Sequence, residues 1–226
     1  MCFSAEASFT AAAILLPAGA IGVHRAYRTD RRYLPFAALP IFFGLQQLFE
    51  GLVWTGNALS NDTMIQRYSL AYMFFSWLAW PVWVPLSTYF LEQCRRRYVY
   101  LIFAIMGGML GAMQYFPYFA HEGWLVTKFL PHAISYQGTL LFDFILRREL
   151  TYALYLFVVI APLLTSSDRH VQIFGILISV VATVTYLFFQ FAYISVFCFG
   201  GALMSLYIVY MVFREPTPEQ EEAIVQ

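Results

Sequence analysis

The sequence predicts an all-α membrane protein: a polytopic bundle of about seven transmembrane helices with its N-terminus outside and its C-terminus inside. Three observations predict this fold. Of the 226 residues, 61% are hydrophobic and only 12% are charged, whereas soluble domains carry about 25% charged residues. Long apolar stretches recur along the chain, and the basic residues cluster on alternate connections between them. The composition excludes ordinary folding in water, and it excludes disorder, which requires low hydrophobicity and high charge.

Seven stretches approach the roughly 20 apolar residues that a spanning helix needs. They lie at residues 6–24, 33–56, 69–92, 99–118, 150–166, 172–190 and 195–213. The first stretch has no positive charge before it and is followed by Arg25 and Arg28, so we interpret it as an uncleaved helix rather than a signal peptide. Pro81 and Pro85 lie four residues apart and predict a kink in the third helix.

The distribution of basic residues predicts the orientation. The segments 24–32, 94–98 and 167–171 and the tail from Arg214 hold nine of the thirteen basic residues. Cytoplasmic connections carry an excess of Lys and Arg, so these segments are predicted to lie inside. The arginine clusters at 25–32 and 95–97 are topology determinants first, with binding of anionic lipid headgroups as a second possibility.

Residues 1–214 are predicted to form a single transmembrane domain, with an outer cap segment at 119–149 and an acidic, mobile tail at 215–226. The short apolar runs around Gly138 favour a small hairpin or a cap on the membrane surface. A helical extension of the fifth span, with Asp143 facing Arg147, competes with that interpretation. Gly107 and Gly111 form a GxxxG pattern that allows close contact between helices.

Glu50 is the only acidic residue well inside a predicted span. Gln46 and Gln47 lie one turn before it on the same helix face, and Trp54 lies one turn after it near the outer interface. A carboxylate at this depth costs several kcal/mol unless it is paired, hydrated or protonated. Two interpretations stay open: a group that faces a cavity and handles a proton, ligand or metal, and a structural hydrogen-bond node between helices.

Other polar residues are predicted on the same side of the membrane as Glu50. The candidate polar pocket consists of Glu6, Gln46, Gln47, Glu50, Trp54, His132, Gln190 and Cys198. Thiol, imidazole and carboxylate groups together suit Zn or Cu, and the candidate metal ligands are Cys2, Glu50, His121, His132 and Cys198. No CxxC, HxxxH or HxxE spacing supports a metal site, and Cys2 and Cys198 could equally form a disulfide or stay as buried thiols.

Several function classes are disfavoured by residues that the spans lack. The only lysine, Lys128, lies in a predicted outer loop, which argues against a retinal Schiff base within a helix. All four histidines map to helix ends or loops, which argues against a transmembrane b-type haem. The formal net charge is zero, so a nucleic-acid partner has no electrostatic footprint. The sequence identifies no other cofactor.

Three segments carry a resemblance to known proteins: Met1-Cys-Phe-Ser-Ala5, residues 43–54 (FGLQQLFEGLVW) and residues 195–199 (SVFCF). In these segments the chain resembles an uncharacterised family of bacterial polytopic membrane proteins, a domain of unknown function. The resemblance implies a compact bundle of about seven helices in a bacterial inner membrane. It implies no activity and no catalytic residues.

Three functions remain open. The first is a binding or interaction module, either for a small or lipid-like ligand or as an accessory subunit of a membrane assembly, with a polar site around Glu50. The second is a membrane-embedded metal-dependent or redox enzyme that uses Glu50, His132 and Cys198. The third is a proton-coupled transporter centred on Glu50. The expected partners are the lipid bilayer and either other membrane subunits or further copies of the chain.

Overall fold

The fold is a helical bundle with one small hairpin, and the computed structural model describes residues 4–93, 95–121 and 123–214. Within these ranges, seven helices are long and apolar enough to cross a membrane. They confirm the predicted multi-pass bundle, although several begin or end a few residues beyond the predicted limits. The helices are α1 (Ala5–Thr29), α2 (Arg31–Ala58), α3 (Asp62–Leu91), α4 (Arg97–Ala120), α5 (Arg148–Thr165), α6 (Arg169–Phe188) and α7 (Gln190–Arg214).

Polar caps fix where the helices begin. The side chain of Ser4 accepts a hydrogen bond from the Ala7 N–H at the start of α1, and Asp168 accepts from two N–H groups at the start of α6. Asn61 accepts from the Met64 N–H at 2.9 Å. Because such caps satisfy N–H groups that have no partner within the helix, α3 begins at Asp62, well before its apolar stretch.

The bundle is organised around α2, α3 and α7. Helix α2 packs against α1, α3 and α7, while α3 also packs against α4 and α5, and α6 packs between α5 and α7. The most buried spans are α2 and α3. Every polar group that these two helices carry on their packed faces therefore lies inside the protein.

The third helix changes its winding just before Pro81, the first of the two prolines for which a kink is predicted. Residues Phe75–Ala79 form a π-helical stretch, in which the Trp80 N–H bonds to the carbonyl of Phe75. Helix α4 meets α3 here through the GxxxG pair, because a Cβ on Gly107 would overlap the carbonyl oxygen of Pro81 and one on Gly111 would overlap that of Trp77. The predicted close contact between helices is confirmed, and it is a contact of backbone on backbone.

The connection between α4 and α5 contains a β-hairpin. Strands β1 (Leu125–Leu130) and β2 (Ala133–Gly138) pair antiparallel. The alternative of a helical extension of α5 is wrong: α5 begins at Arg148, and Arg147 has an extended backbone with ψ 140°. Asp143 pairs with Arg148 rather than with Arg147, because the Arg148 guanidinium reaches back to donate to the Gly138 carbonyl as well, at 3.0 Å.

The hairpin packs onto one end of α2 and α3. Tyr136 stacks on Tyr72 with 4.6 Å between ring centroids, and Phe129 contacts Trp54 at 5.6 Å. The hydroxyl groups of Ser69 and Thr127 are 2.7 Å apart. An isolated two-stranded hairpin is marginal in water, so these contacts hold it in place. We call this end of the bundle the hairpin end.

Candidate functional site

Glu50 lies in the centre of the bundle at the level of the docked hairpin. Its side chain is 2% exposed, and its carboxylate accepts a hydrogen bond from the hydroxyl of Ser195. Since Ser195 is near the start of α7, the bond joins α2 to α7. Glu50 therefore faces neither lipid nor bulk water.

Gln46 is the centre of a hydrogen-bond network one turn below Glu50. Its Nε2 donates to the hydroxyl of Ser76 at 2.9 Å and to the sulfur of Cys198 at 3.2 Å. Its Oε1 accepts from the Trp80 indole N–H at 3.1 Å. One fully buried amide thus connects α2, α3 and α7, and it holds the Cys198 thiol next to two hydrogen-bonding groups.

Two buried groups beside Glu50 have unused hydrogen-bonding capacity. The Gln47 amide approaches the carboxylate but makes no hydrogen bond of ordinary geometry, and the Tyr136 hydroxyl makes none either. Burial, reinforced by the neighbouring Glu50, raises the pKa of Tyr136 well above its ordinary value, so this side chain stays a neutral phenol. The polar groups around Glu50 therefore do not satisfy all of their hydrogen-bonding capacity among themselves.

The structure separates the eight predicted pocket residues into three sets. It brings together Gln46, Gln47, Glu50 and Cys198. Trp54 is half-buried against the hairpin. The remaining three lie at the surface: Glu6 with Ser4 at the start of α1, His132 at the turn of the hairpin, and Gln190 at the start of α7.

The candidate metal ligands do not converge. Among the residues that the structure describes, no group of three His, Cys, Asp or Glu side chains could hold a metal ion. His121 is exposed and stacks on Trp124 at 4.3 Å, while Cys198 is a buried free thiol. Cys2 lies outside the described residues, as do Cys94 and the tail 215–226.

Sequence reasoning did not identify the α3 side of the site. Tyr72, Ser76 and Trp80 lie four residues apart on α3 and together face Gln46 and Cys198. A four-residue spacing of polar and aromatic groups matches one helix face. This spacing is the feature of the sequence that could have identified the α3 side of the site. Ser195 was present in a segment that carried the resemblance, but nothing in its spacing pointed to Glu50.

Three neighbouring spaces share lining residues pairwise, and two of them reach Cys198. A cleft of about 350 Å³ opens between β2 and the first turns of α5 and α7. A second space of about 30 Å³, the first of two inner cavities, shares Tyr152, Tyr193 and Ile194 with the cleft and is also lined by the buried Ser76 and Cys198. A third cavity of about 20 Å³ is wholly apolar and shares Phe197 and Cys198 with the second. Each inner cavity has room for a water-sized group.

A stack of aromatic rings forms one wall of these spaces. Trp77 stacks on Tyr152 at 5.9 Å, Tyr152 on Tyr193 at 5.7 Å, and Tyr193 on Phe197 at 5.9 Å. The planes of the last pair differ by only 5°. Tyr152 and Tyr193 separate the cleft from the inner cavity, so the partition consists of side chains that rotate about two torsions rather than of backbone.

The two described segments that carried the resemblance, 43–54 and 195–199, meet in this site through the bonds from Glu50 to Ser195 and from Gln46 to Cys198. Residues 1–223 match the model of a family of unknown function, DUF6629. The chain belongs to this family. The DUF6629 match spans all seven helices and the hairpin. Comparison with curated proteins found no match, and neither did comparison with solved structures.

Proposed function

We propose that this DUF6629 protein is a membrane-embedded binding protein for a small, uncharged amphipathic molecule with a flat apolar body and one hydrogen-bonding group. The observation that carries the proposal is the set of three neighbouring spaces that share lining residues, two of which reach Cys198. Ligand pockets are typically apolar and aromatic with a few placed polar groups. The two inner cavities have that composition, while the cleft is lined about equally by polar and apolar surface.

The wall chemistry selects the ligand class. Tyr152 and Tyr193 line the cleft and offer aromatic surface to a flat body, and Trp77 and Phe197 continue that surface into the inner cavity. Ser76 and Cys198, both held by Gln46, offer the polar contact at the inner end. The cation at the mouth, Arg148, is already paired with Asp143, which favours a ligand without charge.

The volumes of the three spaces indicate where each part of the ligand would bind. Only the cleft, at about 350 Å³, is within the range of small-molecule pockets. The body of the ligand therefore occupies the cleft, and a group of the size of a hydroxyl reaches the inner cavity after Tyr152 and Tyr193 rotate. Phe191 is exposed at the rim, so the mouth offers an apolar entrance as well.

We also propose that the hairpin end faces outside and the opposite end inside a bacterial inner membrane, because nine of the thirteen basic residues are in the segments at the opposite end. The enzyme hypothesis has less support than binding, since His132 lies at the exposed hairpin turn, apart from the buried cluster. Association with another membrane subunit or a second copy remains part of the interaction-module proposal.

The test is a titration of the purified protein, in discs of neutral lipid, with para-propylphenol. Trp77 lines the inner cavity, so saturable quenching of its fluorescence is expected in the parent protein and is expected to be lost in Trp77→Phe. Gln190→Phe at the rim of the cleft should weaken binding about tenfold by obstructing the mouth.

Leu187→Phe is the matched control, because Leu187 is exposed three residues earlier and does not line the cleft. Its affinity should equal that of the parent protein. A fluorescence change that never saturates in the parent protein, or equal effects of the two phenylalanine variants, would contradict the proposal.

A further inference from the structure

The end of the bundle opposite the hairpin carries a concentrated positive charge. It consists of the α1–α2, α3–α4 and α5–α6 connections and the end of α7. Direct bonds unite it: Trp83 donates to the Pro35 carbonyl at 2.8 Å, and Tyr100 donates to the Thr165 carbonyl at 2.8 Å. Nine arginines lie here, and we call this the arginine end: Arg25, Arg28, Arg31, Arg32, Arg95, Arg96, Arg97, Arg169 and Arg214.

The acidic residues that the structure describes at this end already make contacts within the protein. Asp30 forms an ion pair with Arg32, and that bond holds the pKa of Asp30 below its ordinary value. Glu92 is 5% exposed and accepts from the Ser167 N–H at 3.0 Å. Asp168 caps α6 and accepts from the hydroxyl of Tyr33. Three carboxylates thus face nine guanidinium groups, and only Asp30 forms an ion pair with one of them in the described residues.

Aromatic rings orient several of these arginines. The cation–π contacts found in the described ranges all lie at this end, with the guanidinium group 4.4–5.9 Å from the ring centroid. The pairs are Arg25 with Phe213, Arg31 with Tyr27, Arg97 with Tyr89 and Tyr98, and Arg214 with Tyr210. A guanidinium group lying on a ring keeps N–H donors at its edge for a second partner.

We propose that the arginine end binds the phosphate groups of anionic phospholipid headgroups. Its residues lie where the helices leave the apolar spans, which is the depth of the headgroups. Arginine binds phosphate bidentately, and Arg28, Arg31, Arg95, Arg96, Arg169 and Arg214 are exposed there. The segment Arg31–Tyr33 packs against α3, and the end of α3 leads into the connection that holds Arg95 and Arg96.

The experiment measures thermal unfolding of the full chain in discs of phosphatidylcholine and in discs that also contain phosphatidylglycerol. Phosphatidylglycerol is expected to raise the Tm of the parent protein, and added salt to reduce that gain. Lipid competition measured by native mass spectrometry should show a preference for phosphatidylglycerol. Each arginine near an anionic surface contributes about fivefold to such a preference, so the double variant Arg95→Gln/Arg96→Gln should lose roughly 25-fold.

The matched control is Arg67→Gln/Lys128→Gln, which removes two exposed charges from the hairpin end and should keep the preference. A second variant, Arg95→Lys/Arg96→Lys, keeps the charge but loses the bidentate geometry. It should fold as stably as the parent protein and keep only part of the preference for phosphatidylglycerol, which distinguishes weaker lipid binding from a folding defect. Inorganic phosphate added to phosphatidylcholine discs should leave the Tm unchanged if the partner is a lipid. Equal Tm values of the parent protein in the two lipids, or equal losses in the two Gln variants, would overturn the proposal.

Discussion

The hydroxyl of Ser195 donates a hydrogen bond to the carboxylate of Glu50, across 145 residues of sequence. Gln46, one turn before Glu50, donates to the sulfur of Cys198, which lies one turn after Ser195. Helices α2 and α7 are therefore joined by two polar contacts that lie about one turn apart. Helix α3 completes the cluster through Ser76 and Trp80, and the cavities adjoin this cluster at Cys198.

The bond between Glu50 and Ser195 predicts how substitutions at Glu50 affect stability. Glu50→Gln keeps the shape and an acceptor for the Ser195 hydroxyl, so its free energy of unfolding should stay within about 1 kcal/mol of the parent value. Glu50→Ala leaves that hydroxyl without its acceptor and creates a cavity. The free energy of unfolding should therefore fall by about 2–4 kcal/mol. Chemical unfolding in mild detergent measures both variants.

Glu6→Ala serves as the control for the Glu50 variants, because Glu6 is exposed at the start of α1 and its removal should be close to neutral. If Glu50→Gln were as destabilising as Glu50→Ala, the negative charge rather than the hydrogen bond would be what the fold requires.

The contact between α3 and α4 predicts opposite effects for neighbouring glycines. Gly107→Ala and Gly111→Ala should each destabilise the protein by at least about 2 kcal/mol, because the new methyl group would overlap a backbone carbonyl of α3 that cannot move aside. Gly108→Ala should be neutral or stabilising, since its Cβ would lie 3.4 Å from Val82 Cγ2 and alanine favours a helix. Unfolding of all three variants under one condition tests the contrast, and a destabilising Gly108→Ala would argue against it.

The passage to Cys198 predicts size-selective modification of its thiol. In a protein whose Cys2 and Cys94 are replaced by Ser, N-methylmaleimide should modify Cys198 slowly, and a maleimide with a bulky substituent should not react. Tyr193→Ala opens the partition between the cleft and the inner cavity, so the rate should rise about tenfold. Mass spectrometry of the intact protein measures the rate.

Phe188→Ala is the control for that experiment, because Phe188 is exposed near the cleft without lining it, and its rate should match the parent rate. Bound para-propylphenol should slow modification in the parent protein. Equal reactivity towards small and bulky reagents would mean that Cys198 is reached by opening of the whole bundle instead of through the passage.

The anchoring of the hairpin should depend on pH through Asp143. Burial alone would raise the pKa of Asp143, but hydrogen bonds from Arg148 and from the Leu140 N–H, with the charge of Arg148, outweigh it and bring the pKa below its ordinary value. A depressed carboxylate pKa adds stability above the unfolded pKa of about 4, and this stability is lost as pH falls through the folded pKa. Proteolysis of the segment after Gly138 should therefore accelerate below about pH 4.

An acid-stable protease such as pepsin makes that measurement possible, and its activity on an unstructured peptide corrects for its own pH dependence. In Asp143→Asn the corrected rate should be high and independent of pH across the same range. A parent protein and an Asn variant with the same corrected pH profile would show that the pair with Arg148 does not hold the hairpin.

The sequence by itself determined the seven spans, because the length of an apolar run that crosses a bilayer is fixed by the bilayer thickness. It also marked Glu50 and the glycine pair, since a carboxylate or a GxxxG in an apolar run is conspicuous whatever surrounds it. The hairpin was one of two open alternatives. The hairpin forms instead of a helical extension of α5 because Arg148 reaches both Asp143 and Gly138. These contacts join residues up to ten positions apart.

Only the tertiary structure decided which side chains meet Glu50 and where the cavities lie. In a soluble protein an apolar stripe shows which face of a helix is buried, but lipid is as apolar as the interior, so the faces of α3 and α7 look alike in the sequence. The rotation of each helix is set by packing of side chains and backbone, as where Gly107 admits Pro81. That rotation brought Ser195 and Tyr72 inward and left Glu6 at the surface, whereas His132 is exposed because it lies in the turn of the hairpin.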